Sequence, residues 1–360
     1  MSGSQERSSK SENRDPDENA EEVADGILRI MLPVDLPGLG HVNCYALEDD
    51  RGLTLIDPGI ADGVTHRVLT ERLAAVGLDV RRVHTAVATH SHFDHFGGIA
   101  RLHSIETVSP LETIAHRSFG DGWQAAYAAT LHSEDSASLE PRTDEEVSAI
   151  TGHLVRETPW GTPTEPFPPS LLRIWSEGLS IFDVFRPPAI SRPVEDGDRI
   201  DMGGRSWTAL HTPGHADDHL CFWNPELGVL FGGDHLLPTI TPHISGLSTY
   251  DDPLEEFFRS LERVGELEGA TIVLPAHGDP FTDLSGRASD IAEHHHGRLD
   301  RVREIGQELG PATVEAYMQL LFRERSWGSM AMSETYAHLE WLRLHGDASR
   351  QETLGLIYKI

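Results

Sequence analysis

The apolar positions of the chain fall into short blocks with two different periods. Residues 26–34, 42–48 and 53–56 are apolar runs set apart by Pro37, Gly38, Gly40 and Gly52, which predicts three short strands in a meander. The period then changes. Val64, Val68, Leu69, Leu73 and Val76 recur at helical spacing and Gly77 follows as a stop, so 64–76 reads as a helix covering the sheet. Strand-like runs return at 83–89, 206–210, 229–231 and 271–274, each just ahead of a candidate ligand: His90, His215, Asp234 or His277. Side chains at strand ends project into loops along one rim of a sheet, so these groups are expected to converge.

Between 111 and 194 lies a long insertion with helix-like patterns at 123–131 and 145–156 and a proline-rich stretch at 159–169. Its aromatic residues, Trp123, Tyr127, Trp160, Phe167, Trp175, Phe182 and Phe185, are enough to wall a pocket as a lid over the site, and packing of the insertion itself explains them equally well. From about 285 onward three helical patterns, 292–309, 314–322 and 333–344, precede a strand-turn-strand candidate, the order of a winged-helix-like module. The expected domains are therefore a disordered acidic tail at 1–25, a main domain at 26–285 and the C-terminal module at 286–360.

Composition narrows the partners. The formal charge is -29, which repels polyphosphate and disfavours nucleic acid. Within 285–360 there are 9 basic and 11 acidic residues, whereas a nucleic-acid-binding winged helix carries a basic face; packing or a homodimer contact is the role expected of the module. Residues 1–25 contain no apolar run suited to a signal peptide or membrane span, so a cytoplasmic protein without a membrane partner is expected. Cys44 and Cys221 are too few for a disulfide framework and wrongly spaced for a thiolate zinc site.

What remains is a histidine and aspartate chemistry. In His90-Ser91-His92 the two imidazoles are two residues apart, which in an extended segment places both rings on one side to share a metal. Asp94 and His95 then turn toward a neighbouring position. Zinc favours such imidazole and carboxylate ligands, and a catalytic site keeps room for water. His219, His235 and His243 follow the later ligand candidates and are read as contacts to substrate or to the ligands. The triplet His294, His295, His296 points in different directions around a helix and is read as a solvated face.

Taken in order, Ile-Asp-Pro-Gly at 56–59, Thr-His-Ser-His-Phe-Asp-His at 89–95, Thr-Pro-Gly-His at 212–215, Gly-Gly-Asp-His at 232–235 and Pro-Ala-His-Gly at 275–278 resemble the motifs of the metallo-β-lactamase-fold hydrolase superfamily. The resemblance implies an α+β fold, a four-layer αβ/βα sandwich with two divalent metal ions at its edge, zinc foremost and iron or manganese as alternatives. It implies His90, His92 and His215 on one ion, Asp94, His95 and His277 on the other, Asp234 bridging, and Asp57 steadying the ligand loops. A water activated between the ions is then the nucleophile, and Asp94 carries the catalytic role of orienting it and passing a proton to the leaving group. His92 stands where the flavodiiron branch carries glutamate, and no flavodoxin-like half follows, which disfavours oxygen reduction. The C-terminal order resembles the extension of the beta-lactamase-like protein 2 branch. The activity expected is cleavage of an ester, lactone or thioester in a small, partly apolar substrate. The alternative is a phosphodiesterase or ribonuclease that uses the C-terminal module to hold nucleic acid.

Overall fold

A computed structural model describes residues 10–36, 38–121, 143–151, 155, 157–164, 168–175, 186–352 and 356–360. Strands β1 (Glu21–Ala24), β2 (Ile27–Leu36), β3 (Leu39–Asp49), β4 (Gly52–Ile56), β5 (Val83–Val87), β6 (Glu112–His116) and β7 (Arg192–Val194) form one sheet in chain order. It is antiparallel from β1 to β4 and parallel from β4 to β7. Strands β8 (Arg199–Met202), β9 (Arg205–His211), β10 (Leu220–Asn224), β11 (Val229–Gly233) and β12 (Ile272–Pro275) form the second sheet, again in sequence order.

The reason for two sheets and four layers is visible in the burial of each strand. β4, β5, β10 and β11 are buried at every position, so both faces of each strand need cover. One cover is the opposite sheet: Tyr45, Ile56, Val87 and Ile114 pack with Trp207, Phe222, Phe231 and Leu274 in the central core. Helices α1 (Gly63–Ala75) and α2 (Phe93–Ser104) supply the other cover for the first sheet through Leu69, Leu73, Phe96, Ile99 and Leu102. The second sheet is covered by α5 (Pro253–Gly265) and α6 (Leu284–Leu309). The sandwich expected from the motifs is therefore the fold.

Three boundaries differ from those expected. Residues 10–25 are ordered parts of the fold. Glu12 is fully buried and its carboxylate accepts the backbone N–H groups of Thr239 (2.7 Å) and Ile240 (3.0 Å) and the Thr239 hydroxyl. Arg14 pairs with Asp279 at 2.9 Å, and β1 adds an edge strand. A polar, acidic stretch is held here because its charges meet unpaired donors, a pairing that apolar periodicity does not register.

The 111–194 segment also starts and ends in the core, as β6 and β7. Of its interior, α3 (Asp144–Thr151) and α4 (Pro169–Trp175) are described, while the helix expected at 123–131 and the aromatics Trp123, Tyr127, Phe167, Phe182 and Phe185 lie outside the described residues.

The third boundary, at 285, falls in the first turn of α6, whose 26 residues carry one continuous buried stripe: Leu284, Ala288, Ile291, His295, Leu299, Val302 and Ile305. The first half packs on the second sheet and the second half on α7 (Val314–Leu321), α8 (Ser329–Leu344) and a sheet of β13 (Ala312–Thr313), β14 (Ser349–Glu352) and β15 (Leu356–Lys359). The C-terminal elements therefore share a core with the main domain and have no linker to it. His295 sits on that stripe, buried against His338, while His294 and His296 are exposed; the solvated reading holds for two of the three histidines.

The N-terminal strap has a measurable weight. Glu12→Ala removes the charged acceptor of two part-buried N–H groups and is expected to lower the unfolding free energy by about 1–3 kcal/mol. Urea denaturation measures it, and an unchanged midpoint would remove residues 10–14 from the fold's stabilising contacts.

Candidate metal centre

After β5 the chain bends at Thr89, His90 and Ser91 instead of running on extended, and α2 begins behind His92, its N-cap. The bend brings the His90 and His92 rings together at 4.5 Å between centroids, and the first helical turn carries Asp94 and His95. The turn lies close to the loop after β4. A Cβ on Gly98 would stand 2.2 Å from the Pro58 carbonyl oxygen and one on Gly97 2.6 Å from the Ala61 nitrogen, so the two glycines after His95 let helix and loop touch.

All seven expected ligands meet at the sheet rim. They form two groups, His90, His92, His215 and Asp234, and Asp94, His95 and His277, with ligand atoms within 4.8 Å of one another in each. In the first, His92 Nδ1 lies 2.9 Å from His90 Nε2 and 3.1 Å from His215 Nε2, and His215 Nε2 lies 3.4 Å from Asp234 Oδ2. In the second, Asp94 Oδ2 is 3.5 Å from both His95 Nε2 and His277 Nε2. Asp234 reaches this group too, Oδ1 at 3.4 Å from His277 Nε2 and Oδ2 at 3.6 Å from His95 Nε2.

Hydrogen bonding alone does not account for these contacts. His90 Nδ1–H donates to the Thr89 hydroxyl (3.0 Å) and His215 Nδ1–H to the His243 carbonyl (2.7 Å), leaving both Nε2 atoms as bare acceptors. One proton on His92 Nδ1 cannot serve both. His95 Nδ1–H donates to Asp57 (3.0 Å) and His277 Nδ1–H to the His41 carbonyl (2.6 Å), so their Nε2 atoms face the cluster in the same way. His95 Nε2, His277 Nε2 and Asp234 Oδ1 are buried without a hydrogen-bond partner. A cation bonded to nitrogen at ~2.0–2.1 Å in tetrahedral geometry separates its ligands by about 3.3 Å, close to the spacings seen. The donor set fits a divalent metal, with the other nitrogen of His90, His95, His215 and His277 tied down as metal-binding imidazoles require.

The electrostatics agree. Burial and the neighbouring imidazolium charges push His90 and His92 far below the ordinary histidine range. Burial would raise Asp234, but His277 and His95 outweigh it and hold the carboxyl well below its usual range. Burial would likewise lower His95, yet Asp94, Asp234 and Asp57 hold it well above. The carboxylates thus demand positive charge, which protons on His95 and His277 or bound cations can provide.

The surrounding residues sort by contact. Asp57, in a left-handed conformation (φ 51°), accepts the Thr89 N–H and hydroxyl at 2.8 Å each as well as the His95 ring. His219 is fully buried behind the ligands. Its Nε2 accepts the Asp234 N–H at 3.0 Å and its Nδ1–H donates to Thr212 at 2.7 Å, so it holds the aspartate's backbone and is no rim contact. Gly233 makes room for it: φ is +52°, and a Cβ there would lie 2.4 Å from His219 Nε2. His235 is buried against Phe257 in the core and does not line the rim. His243 contributes its carbonyl to His215 and its ring to Glu334.

Several supports escaped the sequence reading. His41, Asn43 and Tyr45 alternate on one face of β3 and grip the 275–278 loop. His41 Nε2 accepts the Gly278 N–H (3.0 Å), Asn43 Nδ2 donates to the Pro275 and Gly278 carbonyls, and the Tyr45 hydroxyl donates to Pro275. Asp218 accepts the N–H groups of Ser91 (3.3 Å) and Gly120 (3.1 Å), and burial pushes its carboxyl up to about 6. The period-two placement of His41, Asn43 and Tyr45 was a signal in the sequence; its partner loop, distant along the chain, was not.

Comparison with known proteins agrees with this geometry. Residues 37–277 match the family model described as the metallo-beta-lactamase superfamily. The chain is 26% identical to the probable metallo-hydrolase YqjP of Bacillus subtilis (strain 168), over 89% of this chain and 93% of that protein. It is 34% identical to the atrochrysone carboxyl ACP thioesterase dmxR1 of Cryptosporiopsis sp. (strain 8999), over half of each. A metallo-beta-lactamase family protein from Thermus thermophilus superposes with a TM-score of 0.72 at 27% identity, covering 94% of this chain and all of that one.

Asp57→Ala should weaken metal binding at the His95 group by about 10–100-fold, because the ring loses the acceptor that orients it. Zinc titration against a competing chelator reads this directly, and unchanged affinity in a folded variant would leave Asp57 without a part in the centre.

Proposed function

Since this chain belongs to the metallo-beta-lactamase superfamily, a family of metal-dependent hydrolases, we propose that it is a binuclear zinc enzyme cleaving an ester, lactone or thioester. The observation that carries the reading is the position of Asp234, whose carboxylate lies within 3.4–3.6 Å of His215 on one side and of His95 and His277 on the other. In this reading His90, His92 and His215 hold one ion, Asp94, His95 and His277 the second, and Asp234 both. When bound, the ion pair supplies an activated water at neutral pH and polarises the scissile carbonyl.

The chain's own residues do the rest. Asp94 is buried beside both His95 and His277, where its carboxylate can orient the attacking water and pass a proton to the leaving group. No side-chain thiol competes as nucleophile: Cys221 is fully buried and burial pushes its thiol up to about 12, and burial likewise raises Cys44 well above its usual range. The thioesterase-named relative supports acyl transfer to water, with thioesters the first class to try.

The segment between β6 and β7 is suited to shaping the substrate. Val147 and Leu172 belong to the packed cluster that contains Phe93, Phe96 and Phe119, beside the first metal motif, while Trp160 packs on Tyr336 of α8 and in the cluster with Ile244. Its anchor points therefore lie on both outer cores of the sandwich. Trp160 is part of that scaffold. Among the described residues no helix is long and apolar enough to cross a membrane.

Active protein should hold two zinc ions per chain, and Asp234→Ala should abolish turnover while the fold persists. Metal analysis reaching one ion at most, or near-normal turnover in the variant at full metal content, would end the binuclear reading. In a parallel screen, acyl thioesters and lactones should be hydrolysed and RNA left almost uncut at physiological salt, given the acidic surface. Efficient metal-dependent RNA cleavage would instead favour a phosphodiesterase.

A further inference from the structure

The loop that runs from Asp234 to α5 carries the carbonyl of His243, and that carbonyl fixes the His215 ring. The C-terminal helices hold this loop at several points. Arg287 of α6 donates from Nε to the Leu237 carbonyl and from Nη2 to the Ile240 carbonyl, both at 2.6 Å. Ser333 of α8 accepts the Gly246 N–H at 2.8 Å. The next residue, Glu334, accepts the His243 Nδ1–H through Oε2 at 3.4 Å, while its Oε1 is paired with the Arg298 guanidinium of α6.

We propose that Glu334 is a positioning residue for the metal centre: locked by Arg298, its carboxylate holds the His243 ring, which keeps the His243 carbonyl on His215 Nδ1 and His215 Nε2 aimed at the metal group. The inference rests on His215 as a ligand and on no particular substrate. It also gives the C-terminal module a task that its acidic composition permits, that of clamping an active-site loop. The chain of contacts is short. His215 lies 2.7 Å from the carbonyl, and the same residue's ring meets Glu334, so rotation of the ring and displacement of the carbonyl are coupled within one residue.

A second use of Glu334 competes with this one. His295, Glu334 and His338 also bring ligand atoms within 4.8 Å of one another, as a third metal group would. Most of their bonds are already accounted for, His295 Nε2 being the one buried atom of the three side chains left without a partner. His338 Nδ1–H donates to the Glu334 carbonyl at 2.7 Å, His295 Nδ1–H donates to His338 Nε2 at 3.1 Å, and both Glu334 oxygens are taken by Arg298 and His243. A cation placed there would also face the Arg298 guanidinium.

The test uses the full chain, stripped of metal and titrated with zinc against a chelator, with unfolding followed in parallel. Glu334→Ala should weaken one of the two zinc sites by about tenfold, the low end for outer partners of a metal ligand. His243→Ala, which leaves the Glu334–Arg298 pair in place, should do the same and decides the matter if Glu334→Ala does not fold. Glu334→Gln, which keeps an acceptor for His243, should recover most of the affinity. Asp347→Ala, which breaks an exposed pair with Arg303 in the same module, should leave both sites as they were. A folded Glu334→Ala or His243→Ala protein with both affinities unchanged overturns the proposal, as does loss of a third zinc ion in Glu334→Ala. Because zinc affinity is read without substrate, failure of the ester and thioester screen leaves this result standing, and its own failure leaves the hydrolase reading intact.

Discussion

The carboxylate of Asp234 is buried among three imidazoles with one oxygen lacking any hydrogen donor. A charge in that position is tolerated only if positive charge meets it, whether as protons on His95 and His277 or as metal ions. Every neighbouring feature follows from that demand. Four of the five rings in the cluster, those of His90, His95, His215 and His277, each surrender one nitrogen to a fixed acceptor, so that the other stays bare toward the centre. Those acceptors, a hydroxyl, a carboxylate and two backbone carbonyls, come from four separate stretches of chain.

Such a centre requires that loops from both sheets keep their distances, and the fold spends glycine and buried polar groups on this. Gly97 and Gly98 bring α2 against the loop after β4, and Gly233 lets His219 stand directly behind Asp234. His41, Asn43 and Tyr45 reach from the first sheet to the loop after β12 on the second, fastening the halves of the sandwich at the edge where the ligands converge. The strap around Glu12 holds the Thr239 stretch at the same edge. The polar contacts there are therefore structural and functional at once.

The C-terminal helices extend the same logic. α6 begins as cover for the second sheet and ends inside the C-terminal module, so the module is a continuation of the hydrophobic core. Arg287, Arg298, Ser333 and Glu334 then place polar contacts from those helices on the loop behind His215. Four of the module's basic residues are paired with its own carboxylates: Arg298 with Glu334, Arg303 with Asp347, and Arg343 and Arg350 with Glu340.

The sandwich and the convergence of the seven candidate ligands were legible in the sequence because both are encoded locally. A strand buried on both faces is a short apolar run, and a ligand at its end is the next histidine or aspartate, as at His90 after β5 and His277 after β12. The outer supports were not legible, because a hydrogen bond between His41 and Gly278, or between Glu12 and Thr239, joins residues far apart in the chain and leaves no period in either segment. For the same reason 10–25 read as a tail and 285 as a boundary: acidic residues look solvated until their buried donors are known, and an apolar stripe does not say which body it packs against. His295 shows the division in one residue. Its type and helical setting were written in the sequence, but whether it faced water or His338 depended on the helix that packed against it.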